Sequence, residues 1–123
     1  YATTISCMEK TVKDRSAAVA SFVKASMEGW KSYLNDPAPA NALIKKDNPN
    51  MTDEQLAYSA AKLKEMGMAT GGDAATMGIG IMTDARAKAS YDFLVDAKLI
   101  DPAKVKLAET YTTAFVKDLK VLP

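Results

Sequence analysis

The chain has 123 residues, of which 48% are hydrophobic and 25% charged, values typical of one globular domain rather than a disordered segment. Its 16 basic and 15 acidic residues are interleaved and leave a net charge of +1. The sequence therefore lacks the basic stripe that follows a phosphate backbone, and we expect no nucleic-acid partner. Histidine is absent, which excludes Ser-His-Asp and Cys-His catalysis and removes the commonest zinc ligand.

The first predicted element is a strand over residues 1–8, where β-branched residues alternate with polar and small ones. A long amphipathic helix is predicted next, with Ser16 as its N-cap. Its end is predicted at Asn35-Asp36-Pro37, because a residue before proline is pushed out of the helical region. The apolar positions recur at helical spacing and are predicted to face the core: Val19, Phe22, Val23, Met27, Trp30 and Leu34.

The middle of the chain carries the clearest helix signals. A short helix is predicted over residues 39–46, followed by a turn at Asn48-Pro49-Asn50. Thr52 and Gln55 form a capping box, which predicts the start of another helix. Gly67 is predicted to terminate that helix as its C′ residue. Its buried face is predicted to contain Leu56, Ala60, Leu63 and Met66.

The glycine-rich stretch over residues 70–80 is predicted to be a structural loop, because it lacks the Gly-Lys-Ser/Thr ending of a phosphate-binding loop. Thr83-Asp84 is predicted to cap a further helix, and Asp101-Pro102 to open another. A last short helix is predicted from Thr112 or Thr113. The face of the helix after Thr83 that is predicted to be buried contains Ala89, Phe93, Leu94 and Ala97.

A single strand among five or six helices cannot satisfy its own backbone hydrogen bonds. We therefore expect residues 1–8 to pair with a strand from outside residues 1–123, either a copy of the same segment or another chain. The predicted fold class is an α/β fragment that is predominantly helical. The first residue is Tyr1 rather than methionine, which agrees with a chain that is processed or part of a longer one.

Three segments resemble a known family. They are Phe22–Trp30 followed by Tyr33-Leu34-Asn35-Asp36-Pro37; Lys64–Gly67 with Gly72-Asp73 and Gly78–Thr83; and Asp92–Val95 with Leu99-Ile100-Asp101, Tyr111-Thr112 and Phe115-Val116. Together they are similar to periplasmic solute-binding proteins of ABC importers, in the sulfonate/nitrate and thiamine-precursor group. The resemblance covers nearly all of residues 1–123.

The resemblance implies the C-terminal portion of a type II two-lobed binding protein, with residues 1–8 as a strand that crosses between the lobes. It further implies a periplasmic location, an ABC permease as partner and a small organic or anionic ligand held between the lobes. Because the crossing strand borders the cleft in such proteins, Tyr1, Thr3 and Thr4 are the candidate ligand-binding residues. Most other cleft residues would lie upstream of Tyr1.

The remaining candidate chemistry has structural explanations, and we expect no enzymatic activity, no metal site and no cofactor. Cys7 is predicted to be a buried, inert thiol, since no histidine is present to activate it. Asp53, Glu54, Asp84 and Asp101 fall in the first turns of predicted helices, where they complement the helix dipole. Two alternatives stay open, a self-standing helical interaction domain and an inactive relative of a thiamine-precursor synthase. Exposed apolar faces also predict a homo-oligomer.

Overall fold

Six α-helices joined by turns make up the part of the chain that the computed structural model describes, residues 3–123. Within those residues there is no strand, and a short 3₁₀ helix, Leu107–Glu109, lies near the C-terminus. The predicted predominance of helix is therefore confirmed. The helices are α1 (Glu9–Asp14), α2 (Ser16–Asn35), α3 (Ala38–Asp47), α4 (Asp53–Glu65), α5 (Ala74–Met77) and α6 (Asp84–Asp96).

The strand predicted over residues 1–8 is wrong for residues 3–8, which take no regular structure and are exposed. Tyr1 and Ala2 lie outside the described residues. A strand requires a neighbouring strand to accept its backbone hydrogen bonds, and residues 9–123 supply none. Met8 does have an extended backbone (φ −66°, ψ 143°), but it serves as the N-cap of α1. The α/β assignment therefore has no support in the described chain.

Helix α2 is the longest element and supplies much of the small core. Val23, Met27 and Leu34 are its buried residues, and the helix contacts both α1 and α4. The predicted N-cap Ser16 is instead the first helical residue, since Arg15 occupies the cap position between α1 and α2 without a side-chain capping bond. The predicted helix end at Asp36 is confirmed.

Trp30 was predicted to face the core because of its helical spacing, but it lies outside the core. Its side chain is 44% exposed, and its ring meets that of Tyr33 edge-on with 6.1 Å between centroids. Phe22 is exposed to 62%. The set of α2 residues that is buried is smaller than the set of its apolar residues. The reason is that the other helices cover only one side of α2.

The boundaries of α4 are set by local interactions that the sequence predicted. The backbone N–H of Gln55 donates to Thr52 Oγ1 at 3.2 Å, and that of Thr52 donates to Gln55 Oε1 at 2.9 Å, so the capping box is confirmed. At the other end Gly67 adopts φ +57°, and the Met68 and Gly67 N–H groups donate to the Leu63 and Lys64 carbonyls. This is a Schellman motif. On the predicted face Leu56 and Ala60 are buried and Leu63 half-buried, but Met66 is exposed.

The glycine-rich stretch is a turn-rich segment, as predicted, with the single-turn helix α5 inside it. It passes close to the end of the chain, where the Ile79 N–H donates to the Val121 carbonyl at 2.8 Å. Gly78 has φ +110°, and a Cβ atom there would lie 2.9 Å from the Val121 nitrogen. Glycine is thus required for this close approach. Ile79 is buried and joins Met27 and Leu34 in the core cluster.

Helix α6 begins at the predicted cap, where the Arg86 N–H donates to Thr83 Oγ1 at 3.4 Å. Its predicted buried face is wrong, since Ala89, Phe93 and Ala97 are exposed and only Leu94 is half-buried. The half-buried residues of the helix are Ala87, Tyr91, Asp92, Leu94 and Val95. The face is set by contacts with later parts of the chain, which periodicity alone does not reveal.

Residues 97–123, which we call the C-terminal strap, contain no α-helix. The helix predicted from Asp101-Pro102 is only one turn, in which the Lys104 and Val105 N–H groups both donate to the Asp101 carbonyl at 2.9 Å. The helix predicted from Thr112 or Thr113 is likewise a turn. Short helices form in proteins when packing stabilises them, and no residue of the strap is fully buried.

Candidate functional site

Two of the three predicted ligand-binding residues lie in the exposed segment at the start of the described chain. Thr3 and Thr4 are both exposed, and Thr4 Oγ1 lies 3.5 Å from Ser6 Oγ. Tyr1, the third of these residues, is outside the described range. Cys7, which was predicted to be buried, is an exposed free thiol, because the strand that was predicted to contain it does not form. The described residues here offer hydroxyl groups on an exposed segment.

A polar cluster that the sequence did not predict joins the start of α6 to the strap. The Thr83 hydroxyl donates to Asp73 Oδ2 at 3.5 Å, and the Tyr111 hydroxyl donates to Asp84 Oδ1 at 2.9 Å. The latter pair is separated by 27 residues in the chain. Both carboxylates therefore accept a hydrogen bond from a hydroxyl group. The bond between Tyr111 and Asp84 attaches the strap to the start of α6. In the sequence Asp73 follows a glycine, which predicted only a loop. Asp84 follows Thr83, which predicted only a helix cap.

One open recess lies between α3 and α4. It has a volume of about 430 Å³, and small side chains form most of its wall. Asn41 and Lys64 supply its polar groups, and Asn41 Oδ1 accepts a hydrogen bond from the Tyr33 hydroxyl at 3.1 Å. A shallow wall of alanines offers little for a polar ligand to bind, but it permits close approach of another apolar surface. The remaining lining residues are Pro37, Ala38, Ala57, Ala60 and Ala61.

The second recess lies between α2 and the strap and has a volume of about 330 Å³. Lys24 and Asp118 stand at its border, and Phe115 and Leu119 contribute its apolar surface. Lys24 also pairs with Glu28 at 3.8 Å. The recess therefore combines charged and apolar side chains where the strap lies against α2.

Two glutamates in the described chain have pKa values that are lowered by interactions within their own helices. The pKa of Glu54 is lowered from 4.5, first by a hydrogen bond from its own backbone N–H and then by the Thr52 hydroxyl. The pKa of Glu9 is lowered by its hydrogen bond and charge pair with Lys13, at 2.7 Å. Asp53, Glu54 and Asp84 do lie in first turns, as predicted, whereas Asp101 precedes a turn. The lowered pKa of Glu54 is the opposite of the raised pKa that a general acid requires.

Residues 3–123 contain no group of three or more His, Cys, Asp or Glu side chains placed to hold a metal ion. None of the helices there has the length and apolar character needed to cross a bilayer. Searches for similarity found no match to a protein-family profile, a curated protein or a solved structure.

Proposed function

We propose that this chain is the C-terminal part of an extracytoplasmic solute-binding protein that delivers a small organic or anionic solute to the permease of an ABC importer. In this proposal the segment over residues 1–8 borders the ligand cleft, and Tyr1, Thr3 and Thr4 supply contacts to the ligand. The helices form one layer of a larger two-lobed protein that resides in the periplasm. The proposal originates in the sequence resemblance and gains physical support from the surface of the chain.

The observation that carries the proposal is the large accessible surface. The chain exposes 8839 Å². A compact monomer of 13.2 kDa is expected to expose about 6,400 Å², so the surplus is roughly 2,400 Å². Seven apolar residues are buried, and none of the described side chains is less than 2% exposed. A set of helices with so little core is characteristic of one layer of a larger fold, because stable domains bury apolar faces between layers.

The exposed apolar residues are located on several elements, as expected if more than one surface is covered. Met66 and Met68 project around the turn after α4, and Phe93 and Leu99 are about two-thirds exposed at the end of α6. The alanine-lined recess between α3 and α4 adds a surface that admits close approach. Extensive apolar exposure of this kind marks interaction surfaces in soluble proteins.

A self-standing helical interaction domain is the second candidate, and one observation favours it. Residues 3–8 are not a strand, so the described chain has no unpaired strand that demands a partner. Under this alternative the exposed apolar faces bind another protein. The two candidates differ in whether residues 1–123 belong to a longer chain that encloses a small ligand.

The decisive experiment combines an intact mass and N-terminal sequence of the source protein with calorimetric titration. Thiamine-precursor pyrimidines, alkanesulfonates and nitrate are titrated separately into the source protein and into the 123-residue chain. We expect a longer source protein that binds one of these classes with micromolar or better affinity. We expect the 123-residue chain to bind weakly or not at all, because half a cleft cannot enclose the ligand and exclude water from both faces.

The role of the threonines is tested in the same source protein. Replacement of Thr3 and Thr4 by valine keeps the shape of each side chain and removes the hydroxyl, and is expected to weaken binding. The exposed Thr76, replaced by valine, is the matched control and should leave affinity unchanged. A monomeric 123-residue chain with micromolar affinity would contradict the proposal. A source protein of 13.2 kDa that binds none of the ligands would favour the interaction domain.

A further inference from the structure

Helix α2 carries a second apolar face besides the one that packs inside the chain. Its members recur at spacings of three and four residues, the pattern of a helix-pairing seam. At 100° per residue this face is turned by roughly 90° from the buried stripe of Val23, Met27 and Leu34. It contains no charged residue between its ends. Phe22 and Gly29 are its exposed members, and the half-buried ones are Val19, Ser26 and Tyr33.

This outer face combines a protrusion with a gap. Phe22 is 62% exposed, whereas a Cβ atom at Gly29 would have no atom within 4 Å. The two positions are seven residues apart, so they lie on the same side of the helix, separated by about 10.5 Å along its axis. The bulky side chain and the open position are thus two turns apart on one face.

From this geometry we infer that α2 pairs antiparallel with α2 of a second copy of the chain. In an antiparallel pair related by a two-fold axis near Ser26, each Phe22 lies against Gly29 of the second copy. A parallel pair would instead oppose phenylalanine to phenylalanine and glycine to glycine, leaving a void at one level and crowding at the other. The face is therefore self-complementary in one orientation, as a two-fold symmetric interface requires.

The centre of the proposed interface can be dehydrated without leaving a polar group unpaired. The Ser26 hydroxyl donates to the Phe22 carbonyl of its own helix at 2.8 Å. Burial of an unpaired hydroxyl is costly, and this intrahelical bond removes that cost. The charged pair of Lys24 and Glu28 is on the opposite side of α2, so like charges do not meet across the axis.

Large apolar side chains of α2 are accessible for such a pairing. Phe22 and Trp30 are among the exposed large apolar residues of α2, and Trp30 borders the face beside Tyr33. The pairing does not rest on the proposed transport function, since it uses only the outer face of α2.

Sedimentation of the 123-residue chain tests the pairing. We expect the unmodified chain to sediment as a dimer with twice the 13.2 kDa mass of the chain. Phe22→Ala removes the protrusion and Gly29→Phe fills the gap, and each is expected to weaken dimerisation by about ten-fold or more. Lys24→Ala, on the opposite side of the helix, is the matched control and should dimerise like the unmodified chain. Circular dichroism checks that each variant keeps its helix content.

The double variant Phe22→Ala with Gly29→Phe separates specific pairing from general loss of stability. It exchanges the protrusion and the gap, so an antiparallel pair regains its complementarity and dimerisation should return toward that of the unmodified chain. A chain that sediments as a monomer would overturn the inference. So would an assembly that all the variants leave unchanged, or a double variant that is weaker than both single ones.

Discussion

The hydroxyl of Tyr91 on α6 donates to the backbone carbonyl of Val105 in the C-terminal strap at 2.7 Å. Both residues are half-buried. Since the strap contains no α-helix, its position depends on individual bonds of this kind to the helices. A second hydroxyl, that of Tyr111, makes a similar attachment to Asp84 at the start of α6. Two tyrosines thus hold the irregular end of the chain against α6.

Replacement of Tyr91 by phenylalanine should therefore destabilise the chain. The ring is retained, but the Val105 carbonyl loses its donor in a partly dehydrated place, and we expect a loss of about 1 kcal/mol. Urea unfolding measures the change. Tyr58→Phe is the matched control, because Tyr58 is exposed and its ring, over which Lys62 lies at 5.9 Å, is kept. Equal stability of the two variants would show that the bond contributes nothing.

Two helices end in the same motif with different residues in the left-handed position. Gly67 after α4 has φ +57°, and Lys98 after α6 has φ +59°. A side chain in this conformation costs about 1–2 kcal/mol. We expect Lys98→Gly to stabilise the chain by up to about 1 kcal/mol and Gly67→Ala to destabilise it by a similar amount.

The two changes are informative as a pair. A Cβ atom at Gly67 would meet its nearest neighbour, the Gly71 backbone, at an ordinary 3.5 Å, so the penalty there is conformational rather than steric. Thermal unfolding of both variants measures the effects. Lys98→Ala, which removes the charge but keeps the Cβ atom, is the control. If it stabilises as much as Lys98→Gly, the backbone conformation is not the cause.

Glu54 should make the stability of the chain depend on acidity. Its pKa is lowered in the folded chain, chiefly by the hydrogen bond from its own backbone N–H. A carboxylate with a depressed folded pKa stabilises the folded state fully above the unfolded value near 4.5. That contribution is lost as the pH falls through the lower folded pKa. Glu54→Gln should therefore be less stable than the unmodified chain near neutral pH, and the difference should vanish in strong acid.

Urea midpoints at several pH values between neutral and strongly acidic measure this difference. Glu28→Gln is a suitable control, because Glu28 is an exposed glutamate in the middle of α2, away from a helix N-terminus. A gap between Glu54→Gln and the unmodified chain that stays constant down to acid pH would mean that the carboxylate is not the source of the effect.

Trp30 and Met27 should differ in how much each stabilises the chain. Met27 is 8% exposed within the core cluster, so Met27→Ala is expected to cost about 2–4 kcal/mol. Trp30 is 44% exposed and has its edge-on contact with Tyr33, so Trp30→Ala is expected to cost only about 1 kcal/mol. Chemical denaturation of both variants under dilute conditions, where the chain is monomeric, gives the comparison. A larger loss of stability for Trp30→Ala than for Met27→Ala would show that Trp30 does belong to the core.

Features that depend on neighbouring residues could be predicted from the sequence. The Thr52–Gln55 capping box, the Gly67 terminator and the break at Asp36-Pro37 each involve residues within a few positions of one another. Their hydrogen bonds and steric limits are determined by residues that are close in sequence. The overall helical character followed from the same signals.

Features that depend on distant partners could not be predicted in this way. Tyr91 is half-buried in place of Phe93, and its hydroxyl bonds the distant Val105 carbonyl. The exposure of Trp30 depends on which side of α2 the other helices cover. Periodicity locates an apolar stripe but not its partner. The strap was predicted as helices because Pro102 and Thr112 are good starting residues, yet its turns lack the buried contacts that extend a helix.

The residues of the candidate site also differ in whether the sequence could predict them. Thr3 and Thr4 were singled out by resemblance and by position, and they are exposed hydroxyls at one end of the chain. The cluster of Asp73, Thr83, Asp84 and Tyr111 was missed, because its members belong to three separate segments. The cap at Thr83 was the only signal of it in the sequence.

The backbone bond between Ile79 and Val121 has a consequence for the order of folding. It closes a loop of roughly forty residues that contains α6 and the strap up to Val121, and closure of such a loop has an entropic cost that local helix formation does not. We therefore expect α2 and α4 to form early and this closure to come late. Leu119 and Val121 of the strap then complete the cover of the core around Ile79.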